Sequence, residues 1–187
     1  MKKSMFCLVV MVLILSCSNA TKKSETAERT DKKEESKAAD TPPMPYKAAY
    51  SSQFTVGEVK HAEKILTLFK QWDNNKMAEG KSLFADSVHY FTNGWEFHGT
   101  NDSFFTVSKV HRDKYKEVRT LVQAWIPVHS ADKNEDWVLV WSTAFTTDNK
   151  GKVDSASYQD TWKVNSAGRF DVMYDYELKA PAPAVKK

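Results

Sequence analysis

The sequence predicts an α+β domain in which helices cover one face of a mostly antiparallel sheet. Three observations carry this. Apolar side chains at 62, 65, 66, 69 and 72 recur at helical spacing. Residues 117–178 read as four long strands in series. The breaks between those strands are rich in turn formers. The chain has 187 residues, and its two ends do not share this pattern.

Residues 1–16 are expected to be an export signal. Lys2 and Lys3 give the positive end, and Met5 to Leu15 is an unbroken apolar run of eleven residues. A bilayer span needs roughly 20 apolar residues, so this run suits a signal core instead. A short buried helix is the alternative, but the polar segment that follows leaves it nothing to pack against. Residues 17–53 are expected to form a tether. Between 18 and 50 there is almost no large apolar side chain before Met44 and Tyr46. Such a composition cannot bury enough surface to offset the entropy of ordering. As a coil of some 33 residues it would span about 30 Å.

The domain is expected over 54–178, followed by a flexible Ala-Pro-rich tail at 179–187. Thr55-Val56-Gly57-Glu58 has the spacing of a helix capping box, with Phe54 and Val59 placed to form a hydrophobic staple. The helix behind it would end at Asp73-Asn74-Asn75. A shorter helix is expected from Met77 to Phe84. Strands at 87–91 and 95–98 flank Asn93-Gly94, a two-residue hairpin signal in which both central residues take positive φ. Gly99 would break the second of these strands. Thr100 or Asn101 can cap a third helix to about Arg112, with Phe104, Val107, Ser108 and His111 on one side. The strands at 117–129, 137–147, 153–164 and 169–178 complete a meander. Alternation groups Trp137, Leu139, Trp141, Thr143 and Phe145 on one face, and Ala156, Tyr158, Asp160, Trp162 and Val164 on one face. It does not say which face the helices cover.

Charge excludes one class of partner. The net charge is +3, but residues 54–178 hold fifteen basic and eighteen acidic side chains. The basic excess lies in the flanks, whereas a nucleic-acid binder carries its basic face on the domain. No nucleic-acid partner is expected. The five histidines (61, 89, 98, 111, 129) show no His-x-x-x-His pair, and no Gly-rich phosphate loop or Ser-centred nucleophile elbow occurs. No metal and no cofactor is expected.

Two resemblances add to this reading. Ile14-Leu15-Ser16-Cys17 resembles the lipobox of bacterial lipoproteins. That implies cleavage before Cys17, lipid on its sulfur and new N-terminus, and attachment to a bacterial envelope membrane, on the periplasmic side of the outer membrane. Cys7 would leave with the signal, so lipidation also accounts for a lone cysteine in an exported chain. The alternative is an ordinary signal followed by a free or intermolecular thiol. In the domain, Trp162-Lys163-Val164, the turn ending Ala167-Gly168, and Arg169-Phe170 resemble the strand, turn and strand of the SnoaL-like group of the nuclear transport factor 2-like superfamily. Asp175-Tyr176-Glu177 is similar to the group's acidic-aromatic ending. The resemblance implies a cone-shaped fold, with three N-terminal helices on a curved sheet whose convex side often pairs two copies. Ala167 stands where the group has an aspartate, which touches only turn chemistry.

The resemblance places Asp175 where such enzymes hold an acid/base aspartate. His98 is the natural partner, since histidine titrates near neutrality. Tyr90, Trp95, Trp125, Trp141, Tyr158 and Asp160 are the candidate pocket lining. Each also has an ordinary structural reading, as a strand-end polar group or as sheet packing with a polar tip. Two functions follow: an envelope lipoprotein that binds a small apolar or amphipathic ligand or a protein partner without catalysis, or a cofactor-independent isomerase, dehydratase or cyclase using Asp175. The lipobox reading predicts that Cys17→Ser moves the protein from the membrane to the soluble fraction. Retention of that variant in washed membranes contradicts it.

Overall fold

The computed structural model describes residues 44–179. The expected signal, Cys17, most of the tether and the tail beyond Lys179 lie outside the described residues. The elements are β1 (Phe54–Val56), α1 (Val59–Asp73), a 3-10 helix (Met77–Leu83), β2 (Phe84–Thr92), β3 (Trp95–Thr100), α2 (Asn101–Arg112), β4 (Tyr115–Ser130), β5 (Glu135–Asp148), β6 (Val153–Val164) and β7 (Phe170–Lys179). One seven-stranded sheet runs β1-β4-β5-β6-β7-β2-β3. Its pairs are antiparallel except β2 with β7, which is parallel.

The meander forms as the alternation predicts, and the helices decide its faces. From α1, Ala62, Ile65 and Leu68 are buried against Val138 and Val140 of β5 and Phe170 and Met173 of β7. Phe104 of α2 joins them, stacking at a tilt on Phe84 with ring centroids 5.4 Å apart. Trp162 packs on this core, edge-on to Phe170 at 5.3 Å. The helix-covered face therefore holds the set Tyr158, Asp160, Trp162 and Val164. The other set, with Trp141, lies on the bare face, where Leu121, Ile126, Trp141, Tyr176 and Leu178 are exposed.

Several local expectations change. Three helices form, and the short middle one is a 3-10 helix. Thr55 does not cap α1, because it is spent in β1 opposite His129. The N-cap is Glu58, which makes no side-chain cap bond. Phe54 and Val59 stay about half exposed instead of forming a staple. Gly57 is needed where the chain crosses the edge of β4. Its N–H donates to the Pro127 carbonyl at 2.9 Å, and a Cβ there would sit 2.9–3.1 Å from the Val128 backbone. Gly99 stays in the β3 ladder opposite Val88, and the strand runs on to Thr100. There the Thr100 hydroxyl caps α2 by accepting from the Ser103 N–H. Val107 faces outward on α2, His111 lies at the surface stacked on Trp72 with ring centroids 6.1 Å apart, and Phe104 and Arg112 are the buried side chains. In the Asn93-Gly94 turn only Gly94 has positive φ, at 76°. The Asn93 side chain is instead tied to the Glu177 carbonyl at 3.0 Å, which anchors this hairpin to β7. Finally, residues 50–53, assigned to the tether, dock on the sheet. Tyr50 donates to Glu135 and packs edge-on to Trp137, and Gln53 accepts from the Ala131 N–H.

Candidate acid pair beneath a polar chamber

The site is built by the β6–β7 ladder. Its register pairs Trp162 with Met173, Asp160 with Asp175, and Tyr158 with Glu177. All six side chains face the helices. The first pair is packed under α1 and α2, and the next two extend toward the open end of the sheet. A one-residue shift in β7 makes this possible. Val164 pairs with Phe170 but Lys163 pairs with Val172, leaving Asp171 without a partner on β6. Such a bulge re-aims every residue beyond it. Phe170 and Met173 are thus both core side chains, and Asp175 points inward with them. Strict alternation from Phe170 would have turned Asp175 outward.

Asp160 is 8 % exposed, and among the described residues no hydrogen-bond donor reaches its carboxyl. Asp175 accepts from the Tyr90 hydroxyl at 2.6 Å through Oδ2, while its Oδ1 is buried without a partner. Side chains directly opposite on antiparallel strands have Cβ atoms about 5 Å apart. Burial holds the Asp160 carboxyl well above the usual carboxylate range, and the facing Asp175 adds to this. Burial also raises Asp175; the Tyr90 hydrogen bond offsets part of that, and Glu177 pushes it up again. The Tyr90 phenol is pushed far above its ordinary range, chiefly by burial and then by the Asp175 charge. Both carboxyls are therefore shifted toward their protonated forms, Asp160 the more strongly. Tyr90 stays protonated and serves as the donor that steadies the Asp175 carboxylate.

A small chamber opens over the Tyr158–Glu177 pair. Its volume is about 230 Å³, and its walls include Tyr115, Ala144, Thr146, Ala156, Tyr158 and Glu177. The space exists because Ala144 and Ala156, cross-strand partners, are both small. The acid pair lies one inward-facing layer deeper along the same two strands. A larger open groove of about 620 Å³ runs between α1 and β4, walled by Leu66, Phe69, Lys70, Val122 and Trp125. Asp73 closes its floor by accepting from both the N–H and the hydroxyl of Thr120, at 3.1 and 2.7 Å.

The candidate residues from the sequence separate accordingly. Asp175, Asp160, Tyr90 and Tyr158 come together on the helix-covered face. Trp95 stands beside them, 46 % exposed, edge-on to Tyr90 at 5.8 Å. Trp125 belongs to the α1–β4 groove. Trp141 is on the bare face and lines neither space. His98 is exposed on the face opposite Asp175, paired with His89 in the β2–β3 ladder, their rings 4.9 Å apart. It cannot work with Asp175, because strand alternation aims the two side chains to opposite sides of the sheet. The true neighbours of Asp175 are Asp160 and Tyr90. The Asp160–Asp175 match could not be counted off the turn, since the bulge at Asp171 shifts the register. Among the described residues, no group of three or more His, Cys, Asp or Glu side chains is arranged to hold a metal ion.

The architecture has clear relatives among solved structures. An NTF2-like protein of unknown function from Exiguobacterium superposes with a TM-score of 0.52 at 16% identity, over 64% of this chain and 99% of that one. A SnoaL-like protein from Jannaschia, provisionally assigned as a polyketide cyclase, gives 0.52 at 10% identity, over 64% and 86%. An epoxide hydrolase from M. tuberculosis, described as LEH-like, gives 0.52 at 12% identity, over 64% and 84%. No protein-family model and no curated protein matches the sequence. The fold is therefore NTF2-like, an α+β architecture that hosts unrelated activities, so the function has to be argued from the site.

The acid pair has a stability signature. A carboxyl whose folded pKa is raised binds its proton more tightly folded than unfolded, so stability is lost as pH rises above the ordinary carboxylate range. Asp160→Asn removes that loss. It is expected to raise the Tm by about 3 °C or more at pH 7, with the gain shrinking toward zero near pH 4, in thermal melts across that range. A destabilised variant at pH 7 contradicts the assignment.

Proposed function

We propose that this is a lipid-anchored envelope protein whose NTF2-like domain takes a small amphipathic molecule into the chamber above the acid pair. The observation that carries the reading is the combination of an open chamber with a buried acceptor atom at the next inward position of the β6–β7 ladder that walls it. Asp175 Oδ1 has lost water without gaining a donor, beside the largely buried Asp160, and a bound polar group is the natural remedy for that deficit. The apolar part of the ligand would rest against Tyr158, Ala144 and Ala156. Cys17 would anchor the chain, with the residues between it and Tyr50 giving reach from the membrane.

A second reading is favoured by the pair itself. Asp160, held toward its protonated form by burial, can donate while Asp175, oriented by Tyr90, accepts. Those are the two roles a cofactor-independent isomerase or dehydratase needs on a carbonyl substrate. His98 has no part in it.

Both readings are tested on one sample. A small-fragment screen by amide NMR is expected to shift Ala144, Ala156, Tyr158 and Glu177, and Ala156→Phe is expected to abolish those shifts by filling the chamber. Shifts confined to the bare face contradict the site. If the domain is catalytic, a small cyclic ketone will exchange its α-hydrogens for deuterium in the presence of the protein and not of Asp175→Asn. Equal exchange with the two leaves the binding reading alone.

A further inference from the structure

We propose that the groove between α1 and β4 is a binding site of its own, taking an amphipathic organic monoanion with its apolar body against Trp125 and its charge at Lys70. It shares no residue with the chamber or the acid pair. A bulge builds it. On β4, Val122 pairs with Ser142 and Ala124 with Trp141, so Gln123 is an extra residue. Strict alternation from the core-packed Val122 would aim Ala124 at the helices. The bulge aims Trp125 there instead, opposite buried Val140. Yet α1 does not cover this ring, which stays 41 % exposed. Leu66 and Phe69 of α1 face it across the groove, whose 620 Å³ has room for roughly twenty waters' worth of liquid volume. An apolar slot of that size with few polar groups in its walls is the ordinary build of a small-molecule site.

The charges select the polar end. Lys70 lies in the last turn of α1, is the one cation in the described walls, and forms no ion pair among the described residues. Two features of the groove would repel an anion, and the protein answers both. The Asp73 carboxylate is occupied by the N–H and hydroxyl of Thr120. The negative, carbonyl end of α1 is covered by buried Arg112, which donates to the Trp72 and Asp73 carbonyls at 2.7 and 2.9 Å. Lys70, Arg112 and Asp73 together leave one positive charge, which a single carboxylate balances. A cationic ligand would face Lys70 directly. A neutral one would leave that ammonium without a counter-charge, and a polyanion would find no second cation in the walls.

The test uses three probes of one shape with the full-length protein at pH 7.5: naphthylacetate, naphthylacetamide and naphthylmethylamine. Calorimetry gives the affinities. The Trp125 indole N–H resonance, identified by its loss in Trp125→Phe, gives the place. Naphthylacetate is expected to shift that resonance and to bind about fivefold more tightly than the amide, as a charged hydrogen bond exceeds a neutral one. The amine is expected not to bind. Lys70→Gln should bring the acetate down to the amide's affinity and leave the amide's own affinity in place, which an unfolded variant could not do. Equal binding of acetate and amide, or an acetate preference that survives Lys70→Gln, overturns the proposal. Shifts confined to Ala144, Ala156 and Tyr158 would move the anion to the chamber and also overturn it. If a second copy fills the groove instead, Trp125→Ala will turn a dimer into a monomer in sedimentation and no probe will reach Trp125, and the anion site falls.

Discussion

The bulge at Asp171 is the constraint on which the site depends. β6 and β7 are long, antiparallel and joined by the tight Asn165–Gly168 turn, in which the Asn165 carboxamide accepts from the Ala167 and Arg169 N–H groups. That turn starts the ladder with Val164 opposite Phe170. One extra residue then slides β7 by a single position. Everything past it changes sides. Met173 enters the core, Tyr174 moves to the bare face against Phe91 at 4.8 Å, and Asp175 turns inward to face Asp160. A single backbone irregularity therefore converts an aromatic-rich hairpin into one that is apolar at one end and acidic at the other.

Packing and chemistry divide along that same ladder. Near the turn, α1 and α2 cover the sheet, and Phe84, Phe104, Phe105, Trp162 and Phe170 form a cluster in which every contact but the tilted Phe84–Phe104 pair is edge-on. Edge-to-face aromatic packing of this kind adds to the burial of area. Farther along, the helices no longer fill the face, and the small Ala144–Ala156 pair leaves space. Asp175 Oδ1 is buried there without a partner, and such burial costs free energy. Deficits of this sort concentrate at functional sites, and this one lies beneath an open chamber.

Much of the fold was legible in the sequence because it rests on period and turn chemistry. Alternation grouped Trp137 through Phe145, and Ala156 through Val164, as the structure does, and Asn93-Gly94 marked its hairpin. What failed were local motifs that tertiary pairing overrode. Thr55 had the spacing of a cap but is held in β1, and Val107 had helical spacing but faces solvent. The site was half legible. Asp175 stood out as a carboxylate near the end of an aromatic strand, and Asp160 and Tyr90 were named as lining. Their meeting was not legible, because it depends on an unpaired residue in β7 and on the parallel pairing of β2 with β7, which brings Thr92 beside Asp175 and Tyr90 beside Met173. His98 has the right chemistry and stands before Gly99, but strand parity sends it to the other face.

The central claim is that Asp160 and Asp175 share one buried face and titrate as a linked pair. Carboxyl-carbon NMR of protein labelled at aspartate, titrated from pH 3 to pH 9 with Asp160→Asn and Asp175→Asn used for assignment, tests it most directly. The account predicts two linked transitions for this pair, with Asp160 titrating well above the ordinary aspartate range and the survivor in each variant moving down when its partner is neutral. Independent transitions near pH 4 for both groups, unchanged by either substitution, would contradict it.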